Sequence, residues 1–273
     1  MLILHIGLPK TATSFLQHRI FKKSLHQTGH FVHRKYGNDF HALCKQFKNF
    51  VHAEKANTSM LPPIVSSLIP LIDRTTILSD ENISIDSRLF WTGEGWSPKQ
   101  VAERLGCIQD ALKTQIRLII GIRRPDQWLA SRYAESSKKN PTFSQADFER
   151  RVAHIVNSQQ DDMSYGWLDH EAVHTNFLRI FGSEQVFIYA TEQLDDSPEK
   201  VLSAMGRFAD GLDFVRCYES LLDADKNAYA NKLSTGANTW KIFGEESHIK
   251  LRPTTQALIL SRFPGGADCN VRK

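Results

Sequence analysis

The chain has 273 residues, of which 41% are hydrophobic and 23% are charged, as in ordinary globular proteins. These values exclude a disordered chain, a collagen-like chain and a small scaffold held by disulfides. The 34 Lys and Arg residues exceed the 30 Asp and Glu residues, which gives a net charge of +4. So small an excess does not indicate a nucleic-acid partner, because the clustering of charge matters more than the total. It suits a protein that holds a polyanionic small molecule.

No segment of the sequence predicts a membrane span or an export signal. The longest clean apolar run, Ile116–Ile122, contains Arg117 and has the length of a strand. Lys10 follows the first apolar stretch, and no cleavage region comes after it. The cysteines are too widely separated for a paired zinc or redox motif, which is typical of reduced thiols. We therefore expect a cytoplasmic protein.

Strands and helices alternate along the predicted fold. In chain order, the predicted elements are a strand at Leu2–Ile6, a helix at Thr13–Lys23, a strand at Thr75–Ser79, a helix at Pro98–Lys113, a strand at Ile116–Ile122, helices at Gln127–Ser137 and His170–Phe181, a strand at Val186–Ala190 and a helix at Pro198–Phe208. The polar, lysine-bearing segment Ala134–Pro141, which overlaps the end of one helix, predicts a loop. Aliphatic strands that alternate with helices predict an α/β fold. We expect one three-layer α/β/α domain over residues 1–273, with a central parallel sheet.

The segment after the first strand carries groups that bind anions. Ligands of open parallel sheets bind beyond the carboxyl ends of the strands. Pro9–Leu16 holds a lysine and three hydroxyl residues, namely Lys10, Thr11, Thr13 and Ser14. The N–H groups and dipole of the helix that begins there favour a phosphate. The segment is not the GxxxxGK[ST] loop of nucleoside triphosphatases, because it contains no Gly-Lys pair.

A second anion-binding pattern follows the third strand. Arg123 and Arg124 end this strand, Pro125 opens a helix, and Ser131 lies on that helix. A guanidinium group offers a planar fork of donors that matches a phosphate. We expect Ser131 to donate to the same anion.

Pro9–Leu16 resembles the 5′-phosphosulfate loop of the sulfotransferase superfamily, which reads roughly Pro-Lys-Ser/Thr-Gly-Thr-Thr-x-Leu. Ala12 stands where the family has glycine, and Ser14 replaces its second threonine. Serine keeps the hydroxyl group, whereas alanine adds a Cβ atom where the backbone approaches phosphate or takes an unusual dihedral.

The second pattern is similar to the 3′-phosphate motif of the same superfamily. In that motif a serine follows a strand-end arginine by eight residues, usually with a proline between them. Arg123, Pro125 and Ser131 have this spacing. Two such segments, each after a strand, are more specific together than either alone. With weaker motifs, the resemblance covers most of the chain from residue 2 to about residue 212.

The resemblance implies a P-loop-like sulfotransferase fold and 3′-phosphoadenosine 5′-phosphosulfate (PAPS) as the sulfuryl donor. The implied acceptor is a hydroxyl or amine on a small molecule or a glycan, with no metal. Lys10 is the implied catalytic cation, which stabilises the bridging oxygen as it leaves, and Phe15 packs against the adenine. The implied donor-binding residues are Lys10, Thr11, Ala12, Thr13, Ser14, Phe15, Arg123 and Ser131.

Two carboxylates, Asp80 and Glu81, follow the second predicted strand. In sulfuryl transfer the acceptor loses a proton as it attacks sulfur, and a base within hydrogen-bond reach assists. The Ser-x-Glu-Asn pattern is similar to the bacterial branch of the superfamily, in which the glutamate is the candidate base. Glu81 is therefore the predicted base and Asp80 the alternative, ahead of His5 and His41. A helix-capping role is the structural alternative for this pair.

Other functions fit part of the pattern. A P-loop-type kinase that uses ATP needs a Gly-Lys-Ser/Thr unit, which is missing. A non-catalytic nucleotide-binding module keeps the phosphate loops and does not need Glu81. The run His170–His174 matches the HExxH zinc pattern, but no third ligand follows at the distance that metzincins use. We expect a helix there and no metal.

Overall fold

The computed structural model describes residues 1–26, 29–54, 58–85, 89–139, 142–158, 163–223, 234–236, 238–244 and 246–264. Its main sheet consists of β1 Leu2–His5, β2 Gly29–Val32, β3 Thr75–Ser79, β4 Ile116–Ile122 and β5 Val186–Ala190. The strand order is β2-β3-β1-β4-β5, and every neighbouring pair is parallel. The predicted α/β fold with a central parallel sheet is confirmed.

Helices flank this sheet. Helix α1 (13–24) has α-helical ends, Thr13–Phe15 and Lys22–Ser24, around a π-helical middle, Leu16–Phe21. Further helices are α2 Asn38–Val51, α3 Leu61–Leu68, α4 Pro98–Leu112, α5 Pro125–Ser136, α6 Gln145–Asn157, α7 His170–Phe181, α8 Thr191–Asp196, α9 Pro198–Phe208, α10 Phe214–Glu219 and α11 Pro253–Arg262. A small antiparallel sheet holds β6 Ser234–Gly236, β7 Thr239–Lys241 and β8 His248–Lys250.

The core lies on both faces of the parallel sheet. Successive strand side chains point to opposite faces, so Leu2 and Leu4 pack with one buried cluster while Ile3 packs with another. The first cluster includes side chains of α2 to α7, and the second includes side chains of α1, α9 and α10. Strands covered on both faces are rich in aliphatic residues, which is why sequence alone predicts four of the five. These layers place the sheet in the middle of the fold.

Local sequence signals set several helix ends. Ser97 and Gln100 form a capping box at the start of α4, and Pro98 is its first residue. The predicted loop at Ala134–Pro141 is wrong over its first part, because α5 runs through Ser136. Ala134 is buried there, and its carbonyl oxygen accepts a hydrogen bond from the Ser137 hydroxyl at 2.7 Å. Residues 140 and 141 lie outside the described residues.

Strand β2 and the small antiparallel sheet are absent from the sequence-based prediction. Gly29–Val32 is a short edge strand with only two apolar side chains, Phe31 and Val32, so it lacks an aliphatic run.

Cys44, Cys107 and Cys217 are free thiols, and Cys269 lies outside the described residues. In the part of the chain that the structure describes, no helix has the length and apolar character needed to cross a bilayer.

The strand order decides which loops meet. β1 lies at the centre, with β3 on one side and β4 on the other, and His5 pairs with Ser79 of β3 and Ile119 of β4. The segments that follow these three parallel strands therefore emerge side by side at one edge of the sheet. They contain the predicted loop at 9–16, the carboxylates at 80 and 81, and Arg123.

Candidate active site

Side chains from distant parts of the chain hold the backbone of the loop after β1. Three consecutive carbonyl oxygens accept side-chain hydrogen bonds: Pro9 O from Trp128 Nε1 at 2.7 Å, Lys10 O from Arg123 Nη1 at 3.4 Å, and Thr11 O from Tyr189 Oη at 2.9 Å. The donors belong to α5, to the end of β4 and to β5. The loop is thus tied to elements on one side of β1.

This arrangement turns backbone N–H groups to the other side of the loop. A trans peptide points its C=O and the following N–H in opposite directions, so the N–H groups of Lys10, Thr11 and Ala12 face away from the three donors. Lys10 and Ala12 have left-handed backbones, with φ of 70° and 59°. Neighbouring N–H groups in such a turn form a concave nest for an anion. Ala12 is also the N-cap of α1, so the helix dipole adds to the nest.

The loop packs so closely on the sheet that glycine is required beside it. A Cβ atom at Gly121 of β4 would lie 2.6 Å from Thr11 Oγ1 and would also collide with the Tyr189 hydroxyl. A Cβ atom at Gly7 would lie 2.9 Å from the same threonine oxygen. Thr11 Oγ1 itself points inward and donates to Leu8 O at 2.5 Å. Its hydroxyl therefore stabilises the turn, whereas the sequence predicts that it contacts the sulfuryl donor, PAPS.

The other predicted residues of this loop differ in exposure. Ser14 is exposed in the first turn of α1, where its hydroxyl is accessible to an anion. Thr13 is buried, and its Oγ1 donates to Glu81 Oε2 at 3.0 Å. Phe15 is 3% exposed and packs edge-on against Tyr218, with ring centres 6.3 Å apart. Its ring lies in the core and leaves almost no surface for the predicted contact with adenine.

The two carboxylates after β3 have different surroundings. Asp80 is buried, and its Oδ1 accepts hydrogen bonds from Asn82 N at 3.0 Å and Asn82 Nδ2 at 2.8 Å. It therefore caps the short 3₁₀ turn Glu81–Ile83. Glu81 instead reaches Thr13 at the start of α1. Arg34 lies near both carboxylates, with Nη2 3.4 Å from Glu81 Oε1 and Nη1 3.7 Å from Asp80 Oδ1. Of the two, only Glu81 joins the loop after β1.

Charges of alternating sign continue from Glu81 across the site. Lys10 Nζ lies 2.7 Å from Glu135 Oε1, and Arg132 Nη1 lies 2.5 Å from Glu135 Oε2. Burial acts to raise the pKa of Glu135, but hydrogen bonding and charge from Lys10, with further charge from Arg132, bring it below the ordinary value. Burial lowers the pKa of Arg132, while Glu135 and Glu81 oppose that effect. Arg34, Glu81, Arg132, Glu135 and Lys10 thus form one charged network.

Arg123 lies at the carboxyl end of β4 with an unsatisfied donor. Its Nε atom is buried and makes no hydrogen bond within the described residues, and Glu192 Oε1 is 3.9 Å away. Burial lowers the pKa of this guanidinium group, and the nearby Glu192 carboxylate opposes that effect. Glu192 Oε1 also accepts a hydrogen bond from Arg124 N at 3.2 Å. Ser131 is fully buried on α5.

Two histidine predictions have separate outcomes. His5 is the satisfied core histidine that its strand position predicts, with Ser79 Oγ at 2.6 Å and Tyr189 Oη at 3.2 Å from its ring nitrogens. Burial, with a smaller effect of His33, lowers its pKa to about 3. His170–His174 lies on α7, as predicted. Among the residues described, no group of three or more His, Cys, Asp or Glu side chains is arranged to hold a metal ion.

Sequence reasoning missed two of the charged residues at this site. Arg34 follows β2, a strand that the sequence did not predict. Glu135 follows Ser131 by four residues on α5, the spacing that places two side chains on one helix face. The predicted helix at Gln127–Ser137 already contains Glu135, so this spacing was the signal that could have found it despite the overlapping loop assignment. The contacts of Trp128 and Tyr189 with the loop have no local sequence signal.

Comparison with solved structures finds similar chains among sulfotransferases. One is a sulfotransferase from Alicyclobacillus acidocaldarius, with a TM-score of 0.46, 16% identity, and coverage of 76% of this chain and 80% of that one. Mouse sulfotransferase SULT7A1 complexed with PAP has a TM-score of 0.44 and 13% identity, with coverage of 94% and 74%. The sulfotransferase domain from the curacin biosynthetic pathway has a TM-score of 0.44 and 14% identity, with 96% of both chains covered.

No family model matches the sequence. No curated protein matches it either. The structural likeness is to sulfotransferases, and at these TM-scores and identities it assigns neither an activity nor site residues to this chain.

Proposed function

We propose that this protein transfers a sulfuryl group from PAPS to a hydroxyl or amine acceptor. The observation that carries the proposal is the nest of N–H groups at 10–12, which adjoins both Arg123 and Glu81. Arg123 donates to the carbonyl oxygen of Lys10, and Glu81 accepts from Thr13. Donor groups suited to two anions and one carboxylate thus lie at one edge of the sheet, which supports sulfuryl transfer from a nucleotide with two phosphate groups.

The proposed binding of PAPS rests on two separate groups of hydrogen-bond donors. The nest, the Ser14 hydroxyl and the Lys10 ammonium group suit the 5′-phosphosulfate. Arg123, whose buried Nε lacks a hydrogen bond within the described residues, suits the 3′-phosphate. The Glu192 carboxylate lies 3.9 Å from Arg123. It has the same sign of charge as the 3′-phosphate and would repel it. Ser131 is fully buried on α5. Its contact with the 3′-phosphate stays a prediction.

Glu81 and Lys10 divide the chemical work. The acceptor oxygen or nitrogen forms a bond to sulfur as the bond from sulfur to the 5′-phosphate oxygen breaks. Glu81 accepts the proton that the acceptor loses, and Arg34 Nη2 lies 3.4 Å from its Oε1. The electron pair of the broken bond stays on the phosphate oxygen, where Lys10 stabilises the developing negative charge. No proton has to reach the leaving phosphate.

Calorimetry tests donor recognition with the product nucleotide 3′-phosphoadenosine 5′-phosphate (PAP) and with ATP plus magnesium. We expect PAP to bind more tightly, because ATP has no 3′-phosphate for Arg123. Lys10→Gln should weaken PAP binding, whereas Lys23→Gln, at the exposed far end of α1, should not. Binding of ATP that equals or exceeds binding of PAP would overturn the assignment and favour the kinase alternative.

A further inference from the structure

The lining of a cavity of about 350 Å³ combines cations with an aromatic ring. Trp91, Arg150, Arg151 and His154 line it. Trp91 follows β3 in the chain, and the other three belong to α6. The volume is at the lower end of the range for small-molecule sites, about 300–1,000 Å³. A compound with a single ring fits a space of this size.

The two arginines give the cavity a positive charge. Both lie against one carboxylate, Asp147, which Arg151 Nε approaches to 2.7 Å and Arg150 Nη2 also contacts. The Tyr133 hydroxyl donates to the same carboxylate at 2.8 Å. The Asp147 carboxylate balances the charge of one guanidinium group, so the set of Asp147, Arg150 and Arg151 retains one net positive charge. Each guanidinium group has five N–H donors, and contact with Asp147 does not exhaust them.

Trp91 offers a fixed ring beside these charges. Its ring lies nearly perpendicular to the rings of Phe90 and Tyr133, with ring centres 5.3 Å and 5.9 Å away. Its Nε1 donates to Ser136 Oγ at 3.3 Å. The Arg151 guanidinium carbon lies 5.9 Å from the centre of the indole ring. A stacking surface and an anion-binding group are therefore held at adjacent positions in one cavity.

We propose that this cavity is a binding site for a small organic anion that carries a flat ring. The ring stacks on Trp91, and the carboxylate or sulfate of the ligand accepts hydrogen bonds from Arg150 and Arg151. The cavity adjoins the reacting groups through α5, because Ser136 contacts Trp91 and the preceding residue, Glu135, contacts Lys10. Binding at this site does not depend on the proposed sulfuryl transfer.

Nuclear magnetic resonance of the indole N–H groups tests the site. Trp91 is one of five tryptophans, and its signal is assigned as the one that disappears in Trp91→Phe. Titration with benzoate should shift this signal in a saturable way. Benzamide has the same ring and no charge, so it should bind at least about tenfold more weakly, which corresponds to about 1.4 kcal/mol. Phenyl sulfate in a third titration decides whether sulfate serves as well as carboxylate.

Matched variants separate the arginines from general surface charge. Arg150→Gln and Arg151→Gln should each weaken benzoate binding about tenfold, while Arg151→Lys keeps the charge and should retain most of it. Arg207→Gln removes an exposed arginine on α9 that contacts Ser203 and should change nothing. Arg150 is far more exposed than Arg151, at 74% against 27% of the side chain, so its variant folds even where loss of Arg151 disturbs packing on Trp91.

Three results would overturn the site: no saturable shift with benzoate, equal binding of benzamide, or unchanged benzoate binding in Arg150→Gln. PAP calorimetry on the same preparation distinguishes this failure from failure of the proposed function. A protein that binds PAP and not benzoate lacks the site and keeps the donor function. A protein that binds benzoate and not PAP keeps the site and loses the function.

Discussion

Lys10 Nζ and Glu135 Oε1 lie 2.7 Å apart and join the loop after β1 to α5. The cation that the proposed reaction needs at the leaving phosphate is therefore paired with a carboxylate from α5. An entering phosphosulfate brings negative charge to the same place, so it competes with Glu135 for Lys10. Lys10 and Glu135 are far apart in the sequence, one in the loop after β1 and the other near the end of α5, and the fold brings them together.

Removing the charge of Glu135 should strengthen nucleotide binding. Glu135→Gln takes away the anion that competes for Lys10 and Arg132. Because partly exposed ion pairs contribute roughly 0.2–1 kcal/mol, we expect PAP affinity to rise up to about fivefold in calorimetry. Glu149→Gln, which removes a carboxylate 3.2 Å from Arg252, is the matched control. Weaker PAP binding in Glu135→Gln alone would show that this carboxylate orients the lysine for the ligand.

Glu81→Gln should abolish most turnover while leaving the donor site intact. The amide keeps the shape of the side chain but cannot take the proton, so the turnover number should fall about 10²–10⁴-fold. PAP affinity from calorimetry should stay nearly constant. The neighbouring Asp80→Asn is the control, because asparagine also caps a helical turn and should preserve both turnover and stability. An inactive, folded Asp80→Asn beside an active Glu81→Gln would transfer the role of base to Asp80.

Arg123→Gln should weaken binding of nucleotides that carry a 3′-phosphate. Loss of one charge-assisted contact costs about 1.5–3 kcal/mol, which is roughly a 10- to 150-fold loss of PAP affinity. Adenosine 5′-phosphosulfate has no 3′-phosphate, so its affinity should barely change.

Arg124 provides the matched control for Arg123. It is the next residue, but its guanidinium group is held by Asp126, with contacts of 2.9 Å and 2.5 Å. Arg124→Gln should leave the affinity for PAP within a few-fold of the parent value. If Arg123→Gln weakens both nucleotides equally, this arginine holds the loop through the Lys10 carbonyl and does not read the 3′-phosphate.

Acid should destabilise the protein through two buried histidines. Burial lowers the pKa of His5 to about 3 and that of His33 to about 4, with smaller effects of neighbouring cations at His33. Both therefore stay neutral in the folded state while the unfolded chain takes up protons below pH 6.5. Their contribution to stability is complete above pH 6.5 and is lost as the pH falls toward 4. We expect up to about 1.4 kcal/mol per pH unit for each histidine.

Urea unfolding between pH 7.5 and 4.5 measures this dependence. Carboxylates also titrate at the acid end, so the comparison is between variants. His5→Gln combined with His33→Gln should flatten the slope, while His248→Gln, at an exposed position of β8, should not. An identical slope in the double variant and the parent chain would assign the acid sensitivity to the carboxylates alone.

Sequence reasoning succeeded where one local pattern determines the structure. The aliphatic runs of β1, β3, β4 and β5 are long enough to stand out, and Ser97 with Pro98 marks the start of α4. It failed where short elements owe their existence to tertiary pairing. Gly29–Val32 is a strand because Thr75–Ser79 pairs with it. Residues 134–136 are helical, as the predicted helix at Gln127–Ser137 has them, and the overlapping loop predicted from their polar, lysine-bearing surroundings is wrong there.

The site shows the same division between local and long-range signals. Lys10, Glu81 and Arg123 each directly follow a predicted strand or its turn, so the parallel-sheet rule brings them to one edge. The ties that shape the loop span 119 residues from Trp128 to Pro9 and 178 residues from Tyr189 to Thr11. No motif within the loop encodes such partners. The inward rotation of Thr11 and the burial of Phe15 follow from these contacts and from core packing.

The three held carbonyl oxygens at 9, 10 and 11 bear on how fast a nucleotide associates. Fixing the backbone of one residue costs about 1–2 kcal/mol of conformational entropy. In a flexible loop this entropy is lost when the ligand binds. Here Trp128, Arg123 and Tyr189 fix the peptide groups beforehand. Nucleotide capture should therefore follow single-exponential kinetics, with an observed rate that rises linearly with nucleotide concentration and no plateau from a slow rearrangement of the loop.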